Sequence, residues 1–436
     1  MQTRQNWLIW LILTTTLIRV SAYTTLGAVP TALWWLIEFA IVILLAIKGS
    51  ALKNKKITKV ATPVKYLLIW NAICIIRGIF IAENYWEFKS LINTGLMLFI
   101  PLFVYISDDY LFLRKLIYKW LKYMPWLFLL FLPIVFTSIK HADIYGEYFV
   151  PILFLLPFVF LLPMKYRLII LCSSILIILV SLDARSNIIR FSAAFLLGLA
   201  FYFKRLISLK LLQIFSFSLY VIPIILLTLG ISGSFNVFKM DEYIEGDYTT
   251  KTIENGKTKE ASLTNDTRTF LYVEALGSAL KNNYILLGRT PARGYDSAYF
   301  GNEAKFVLKT GKQERFGSEV AILNIFTWNG LVGVVLYFLV FAKASFLALY
   351  KSKNYVLKLL GVFVAFRWAY SFAEEFTIFG LQYIFLWITI GMCYSTKFRG
   401  MNNTEIKIWA SSIFEKRYRK IEYLIYKKRM EWLLKK

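Results

Sequence analysis

"SEVAILNIFTWNGLVG", residues 318–333, sets a carboxylate, Glu319, one residue ahead of a long apolar run, with Arg315 just before it. The run continues to about residue 348, enough to cross a bilayer as a helix. A charge beside a membrane core is costly, so the acid at its head needs a reason. Ahead of Arg315 lies the one long polar stretch of the chain, and similar apolar runs recur along the rest of its 436 residues.

The chain is 58% hydrophobic with a mean hydropathy of +0.57, against about 45–50% apolar in a soluble domain. The pattern predicts an all-α polytopic membrane protein of about twelve transmembrane helices. They fall near 7–26, 32–48, 66–82, 89–106, 118–137, 149–163, 168–182, 190–204, 211–231, 319–348, 355–372 and 377–395. Residues 1–231 carry the first nine, 232–318 form one large outer loop containing helices, and 319–395 carry the last three. The first apolar stretch reads as a retained anchor rather than a cleaved signal. The tail, 396–436, alternates apolar and basic residues (Ile408, Ile413, Tyr418, Leu424) and predicts an amphipathic helix on the inner membrane surface.

The formal net charge is +25, but the basic residues sit in short alternate loops. Lys53–Lys59, Arg114–Lys122, Lys165 with Arg167, Lys204–Lys210 and Lys351 with Lys353 fall on one side; "ENYWEF", "IYGEY" and "EEF" fall on the other. This is the positive-inside distribution, which places both termini in the cytoplasm and gives no basic face for nucleic acid. One histidine, His141, excludes multi-histidine metal sites and reads as an ordinary loop residue. Cys74, Cys172 and Cys393 lie inside expected spans as packing residues. No metal or cofactor is expected.

Against the inside bias, arginines collect on the outer side. "SLDARSNIIRF" carries Arg185 and Arg190, "NDTRTFLY" carries Arg268, "GRTPARGYDS" carries Arg289 and Arg293, and Arg315 precedes the tenth span. A guanidinium fork fits phosphate oxygens with two bonds, so Arg185, Arg268, Arg289, Arg293 and Arg315 are candidate anion ligands. Local pairs with Asp183, Asp266 and Asp296 are the plainer reading. Arg190 reads as a membrane-boundary residue. Arg19, Arg77 and Arg367 lie within spans, where acids such as Glu83, Glu374 or Glu375 could pair with them. Glu319, partly desolvated at the boundary, could take a proton from a hydroxyl; equally, it could cap a helix start.

Three motifs, in this order, resemble the O-antigen ligase and O-antigen polymerase superfamily of bacterial envelope glycosyltransferases. They are "DARSNIIRF", then "NDTRTFLYVEAL" followed by "LLGRTPARGY", then Glu319 eleven residues before "GLVG". The resemblance implies a metal-independent, inverting GT-C-type transferase of the inner (cytoplasmic) membrane with its site facing the periplasm. Its donor would be an undecaprenyl-diphosphate-linked glycan and its acceptor a glycan or lipid, with chain-length regulators or flippases as partners. Arg185 and Arg268 match the family's diphosphate-binding arginines. Glu319 stands where the ligase branch usually has a histidine proposed to activate the acceptor. A polymerase of O-antigen or capsule repeat units is the first expectation and a ligase the second. A lipid-linked oligosaccharide flippase is the rival from another class.

Overall fold

The computed structural model describes residues 2–21, 29–51, 60–138, 143–182, 184–239, 249–254, 257–262 and 268–424. His141, Lys53–Lys59, Asp183, Asp266 and the tail beyond Leu424 lie outside them. Helices α1 (Gln2–Ser21), α2 (Thr31–Ala51), α3 (Thr62–Ile81) and α4 (Tyr85–Met97) come first. Then follow α5 (Tyr110–Ser138), α6 (Asp143–Tyr148), α7 (Val150–Leu155), α8 (Met164–Val180), α9 (Arg185–Tyr202) and α10 (Leu209–Ile231). The large loop holds two antiparallel pairs, β1 (Thr249–Glu254) with β2 (Lys257–Ser262) and β3 (Tyr295–Asp296) with β4 (Glu314–Arg315). Between the pairs lies α11 (Thr269–Lys281). The chain closes with α12 (Ala321–Lys351), α13 (Tyr355–Tyr370), α14 (Leu381–Tyr394), α15 (Thr396–Gly400) and α16 (Asn403–Phe414).

The fold is thus predominantly helical, with short strands confined to the loop. Among the described residues, four helical segments are long and apolar enough to cross a membrane: Thr62–Ile81, Tyr85–Ile106, Leu209–Ile231 and Ala321–Lys351. Helix α10 leaves Ile214 and Phe217 64% and 68% exposed. In water such a face would be an association surface; in a bilayer it is the face turned to lipid. Helices α12, α13 and α14 form the centre, where Tyr337, Phe341, Trp368 and Trp387 pack ring on ring with centroids 4.5–6.5 Å apart. Lipid tails are as apolar as these side chains, so close packing rather than escape from water holds such a bundle together.

Helix α12 is interrupted. Gly330 takes φ 67° and ψ −171°, a conformation open essentially to glycine. The break frees backbone groups that must find partners away from water, and residues 285–290 of the large loop supply them. Leu331 N–H donates to Ile285 O (2.8 Å) and Val332 N–H to Leu286 O (3.2 Å). On the other side, Arg289 N–H reaches Thr327 O (2.7 Å) and Thr290 N–H reaches Trp328 O (3.2 Å). Arg77 of α3 donates to the carbonyls of Leu287 (2.7 Å) and Gly288 (3.2 Å). Trp70 donates to Asn329 O (2.9 Å), and Asn329 Nδ2 to Asn71 Oδ1 (2.8 Å). Among the described residues, Arg77 therefore serves backbone carbonyls rather than an acid. Arg19 pairs with Glu147 (2.9 Å).

The apolar residues expected on the tail face divide: Ile413 of helix α16 turns into the protein, while Leu424 is 56% exposed. Ile406, Trp409 and Ile413 are buried in the protein, and Trp409 donates to Tyr110 O (3.1 Å) and meets Phe158 and Phe398 edge or tilt. Beyond it, Glu422 pairs with Arg114. Cys74 and Cys393 are buried as expected, whereas Cys172 is exposed.

Candidate functional site

The α13–α14 turn, Ser371–Glu375, organises the loop end of the bundle. Its carbonyls cap α12: Ala321 N–H donates to Glu374 O (3.2 Å) and Ile322 N–H to Ser371 O (3.0 Å). They also hold α11, because Arg268 Nε donates to Ala373 O (3.2 Å) and Tyr272 Oη to Phe372 O (2.6 Å). Asn324 reaches back to fix the approach: it accepts from Ser318 N (2.6 Å) and donates to Ser318 O (2.9 Å).

Glu319 emerges from this frame without a capping duty. The residue at the cap position is Val320, which makes no side-chain cap, and the turn has already satisfied the first amides. The Glu319 carboxylate instead lies between two arginines. Oε2 accepts from Arg268 Nη1, and Oε1 from Arg315 Nη2 at 3.3 Å. Arg315 is braced by the Phe300 ring, 4.1 Å from its guanidinium carbon. The carboxylate is 53% exposed while the arginine side chains are 20% and 16% exposed. The desolvation expected at Glu319 is thus not found. It faces solvent at the mouth of a two-arginine fork.

Arg185 opens α9 on the same end of the molecule, where Tyr370 Oη donates to the next residue's carbonyl, Ser186 O (3.4 Å). Arg289 and Arg293 lie in a different cluster. Arg289 Nη1 donates to Asp296 Oδ1 (2.7 Å) and Gly294 O (2.9 Å), and its Nη2 lies 3.2 Å from Glu314. Arg293 grips the buried Glu314 through Nε (2.9 and 3.2 Å) and Nη2. Lys312 joins Glu83 (2.8 Å) and buried Glu87 (2.7 Å). Burial works against the Asp296 carboxylate, but hydrogen bonds from Asn282 and Arg289 outweigh it and hold the group below its ordinary value. Arg289 and Arg293 thus belong to a latch between the loop and the α3–α4 turn, with acids as their partners. The expected Arg293–Asp296 pair is replaced by Arg289–Asp296 and Arg293–Glu314.

Beside Arg268 runs an apolar groove of ≈ 530 Å³ between α10, α11 and the end of α13. Leu226, Leu227, Phe238, Val273 and Leu276 line it, and it extends to Phe372 and Ala373. Ala373 is the residue whose carbonyl holds Arg268. The groove wall thus includes Thr269, the neighbour of Arg268, and Ala373, its hydrogen-bond partner. Sequence reading missed this groove, because its walls come from three separated segments that each look like ordinary lipid-facing helix.

Glu375, read from sequence as an outer acid and a possible partner of an intraspan arginine, takes other partners. Its carboxylate accepts from Asn324 Nδ2 and from the amide and hydroxyl of Thr377. Burial pushes it up to about 7, against those hydrogen bonds. The unfolded chain would lose this proton near 4.5, so as pH rises from there towards 7 the unfolded state binds fewer protons than the native one. Stability therefore falls across that window. Thermal melts of the purified protein should show Tm declining between about pH 5 and 7, and Glu375→Gln should flatten that part of the profile. An equal decline in the variant would place the titrating group elsewhere.

No family model, curated protein or solved structure matches this chain. The family likeness therefore rests on the three sequence motifs, and the function on the site itself.

Proposed function

We propose that the chain is a membrane glycosyltransferase that lengthens a bacterial surface polysaccharide, O-antigen or capsule. It would move glycan from an undecaprenyl-diphosphate-linked donor to a sugar hydroxyl at the periplasmic face of the inner membrane. The observation that carries this reading is the apolar groove whose wall reaches Thr269 and Ala373, beside Arg268. A substrate suited to it has a long apolar tail and an anionic head, which is the shape of a lipid-linked diphosphate. The motif order and positive-inside charge pattern support twelve membrane crossings with both termini cytoplasmic. That topology puts the arginine fork on the outer side.

Arg268 and Arg315 hold Glu319 in the resting site. Both of its carboxylate oxygens are then engaged by guanidinium groups. An arriving diphosphate would compete for the same guanidinium forks and release Glu319 toward the acceptor. Arg185 would add charge from the α9 side. The acceptor oxygen then attacks the anomeric carbon opposite the diphosphate. A new C–O bond forms, the bond to the diphosphate oxygen breaks, and the hydroxyl proton passes to Glu319. The arginines stabilise charge growing on the leaving diphosphate, and a single displacement inverts the anomeric centre.

The test in cells is the surface-glycan profile of a strain lacking this chain, with the lipid-linked pool measured alongside. The proposal expects a ladder reduced to single-unit products. Polymer accumulating on the lipid with none attached would make it a ligase, and an unchanged profile would remove the transferase reading.

A further inference from the structure

Arg367 is a permanent charge in α13 that makes no direct ion pair among the described residues. The residue is 2% exposed, and its Nη2 has no hydrogen-bond partner among the described residues. Its guanidinium is sandwiched by rings, 4.2 Å from Phe376 and 5.5 Å from Tyr370. A second buried cation acts on it from α9: Arg190, 3% exposed, whose own bonds go to Ser186 (3.0 Å) and Asn187. The acid that offsets the charge, Glu374, sits on the turn beyond the helix end. Taking a charge out of water is costly unless a partner meets it directly, and an acid beyond the helix end leaves a place for one.

The guanidinium lines a small cavity of ≈ 20 Å³, and so does Gln382. Gln382 Nε2 is also buried and unpartnered among the described residues. The remaining walls are chiefly apolar, including Phe154, Phe363, Phe385 and Leu386. The hydroxyl of Thr389 gives its proton to Phe385 O (2.8 Å). Two residues that carry unsatisfied donors thus line one space whose lining contains no carboxylate. A neighbouring cavity of ≈ 30 Å³, which Gln382 also lines, has Glu147 and Glu375 in its wall. The contrast lies in the missing negative charge.

We infer that Arg367 and Gln382 hold a single small monovalent anion of chloride size. The space is small, with room for about one water-sized sphere, which favours a single-atom ion over phosphate or sulfate. Water would satisfy a hydrogen bond but leave the charge unanswered. A halide supplies both an acceptor and the missing charge, and it would pin α13 to α14 behind the turn that carries the Glu319 frame. This site is independent of the transferase reading.

The test is thermal unfolding of the purified full-length protein with sodium chloride replaced by sodium gluconate at equal ionic strength. Chloride should raise Tm by about 2–4 °C in a saturable way, and bromide should substitute. Arg367→Leu should abolish the chloride effect; Gln382→Leu, which keeps the charge, should shift its midpoint to higher chloride. Equal Tm in chloride and gluconate would overturn the site, as would a full chloride response in Arg367→Leu. Should Arg367→Leu fail to fold, crystals grown in bromide decide. Anomalous scattering between Arg367 and Gln382 supports the site, and its absence from an otherwise ordered cavity refutes it.

Discussion

Glu319→Gln should lower glycan transfer by about 10²–10⁴-fold, the usual contribution of a positioned general base, while Tm stays within about 2 °C of wild type. The substitution keeps the size and one acceptor oxygen, and the side chain is half exposed, so little packing is lost. The ion pairs it removes are partly solvated and contribute little to stability. Arg268→Ala should cost about 10²–10³-fold through loss of charge stabilisation on the leaving group. Arg268→Lys, which keeps charge but not the fork, should fall between. The two effects should not multiply in Glu319→Gln/Arg268→Ala, because both residues serve one displacement. Arg293→Lys should retain most activity, since that guanidinium is turned onto Glu314. Normal product length in both Glu319→Gln and Arg268→Ala would remove this pair from the mechanism.

The second large effect concerns folding. A Cβ built on Gly330 would lie 2.3 Å from Leu286 O and 2.4 Å from Gly288 N; one built on Gly288 would lie 2.4 Å from Gly330 N. These neighbours are backbone and cannot rotate away. Both glycines also have positive φ, 67° and 72°, where a side chain adds about 1–3 kcal/mol of strain. Moving either strand would break the hydrogen bonds that satisfy the interrupted α12. Gly330→Ala and Gly288→Ala should therefore each lose several kcal/mol, seen as loss of monodisperse protein or a steep fall in Tm. Gly277→Ala is the control, because nothing lies within 4 Å of its would-be Cβ. Wild-type melting of Gly330→Ala would mean the loop does not insert at that break.

The helical membrane class was legible because apolar run length and loop charge are local properties. The α12 break was not. "GLVG" reads as part of an apolar run, and the partner that makes Gly330 necessary, residues 285–290, lies some forty positions upstream. Arg77 was recognisable as an unusual intramembrane charge, but its carbonyl partners exist only once that loop inserts. The tail shows a different limit. The spacing of Ile408, Ile413, Tyr418 and Leu424 predicts an amphipathic helix, yet an apolar side chain such as Ile413 serves equally against lipid or inside the protein. At the site, the grouping of Arg268, Arg315 and Glu319 followed from their placement around the loop's return to the membrane. Arg289 and Arg293 looked identical in sequence, and only the fold turns them onto Glu314 and Asp296.

The central claim is that this protein joins lipid-linked repeat units with release of the lipid diphosphate. The most direct measurement is a reaction of the purified full-length protein in proteoliposomes with undecaprenyl-diphosphate-linked repeat unit alone, followed by gel and by lipid analysis. The account predicts a ladder of lengthened lipid-linked glycans, one free undecaprenyl diphosphate for each bond made, and loss of both with Glu319→Gln. Intact, well-folded protein that yields neither longer products nor free lipid diphosphate would contradict it.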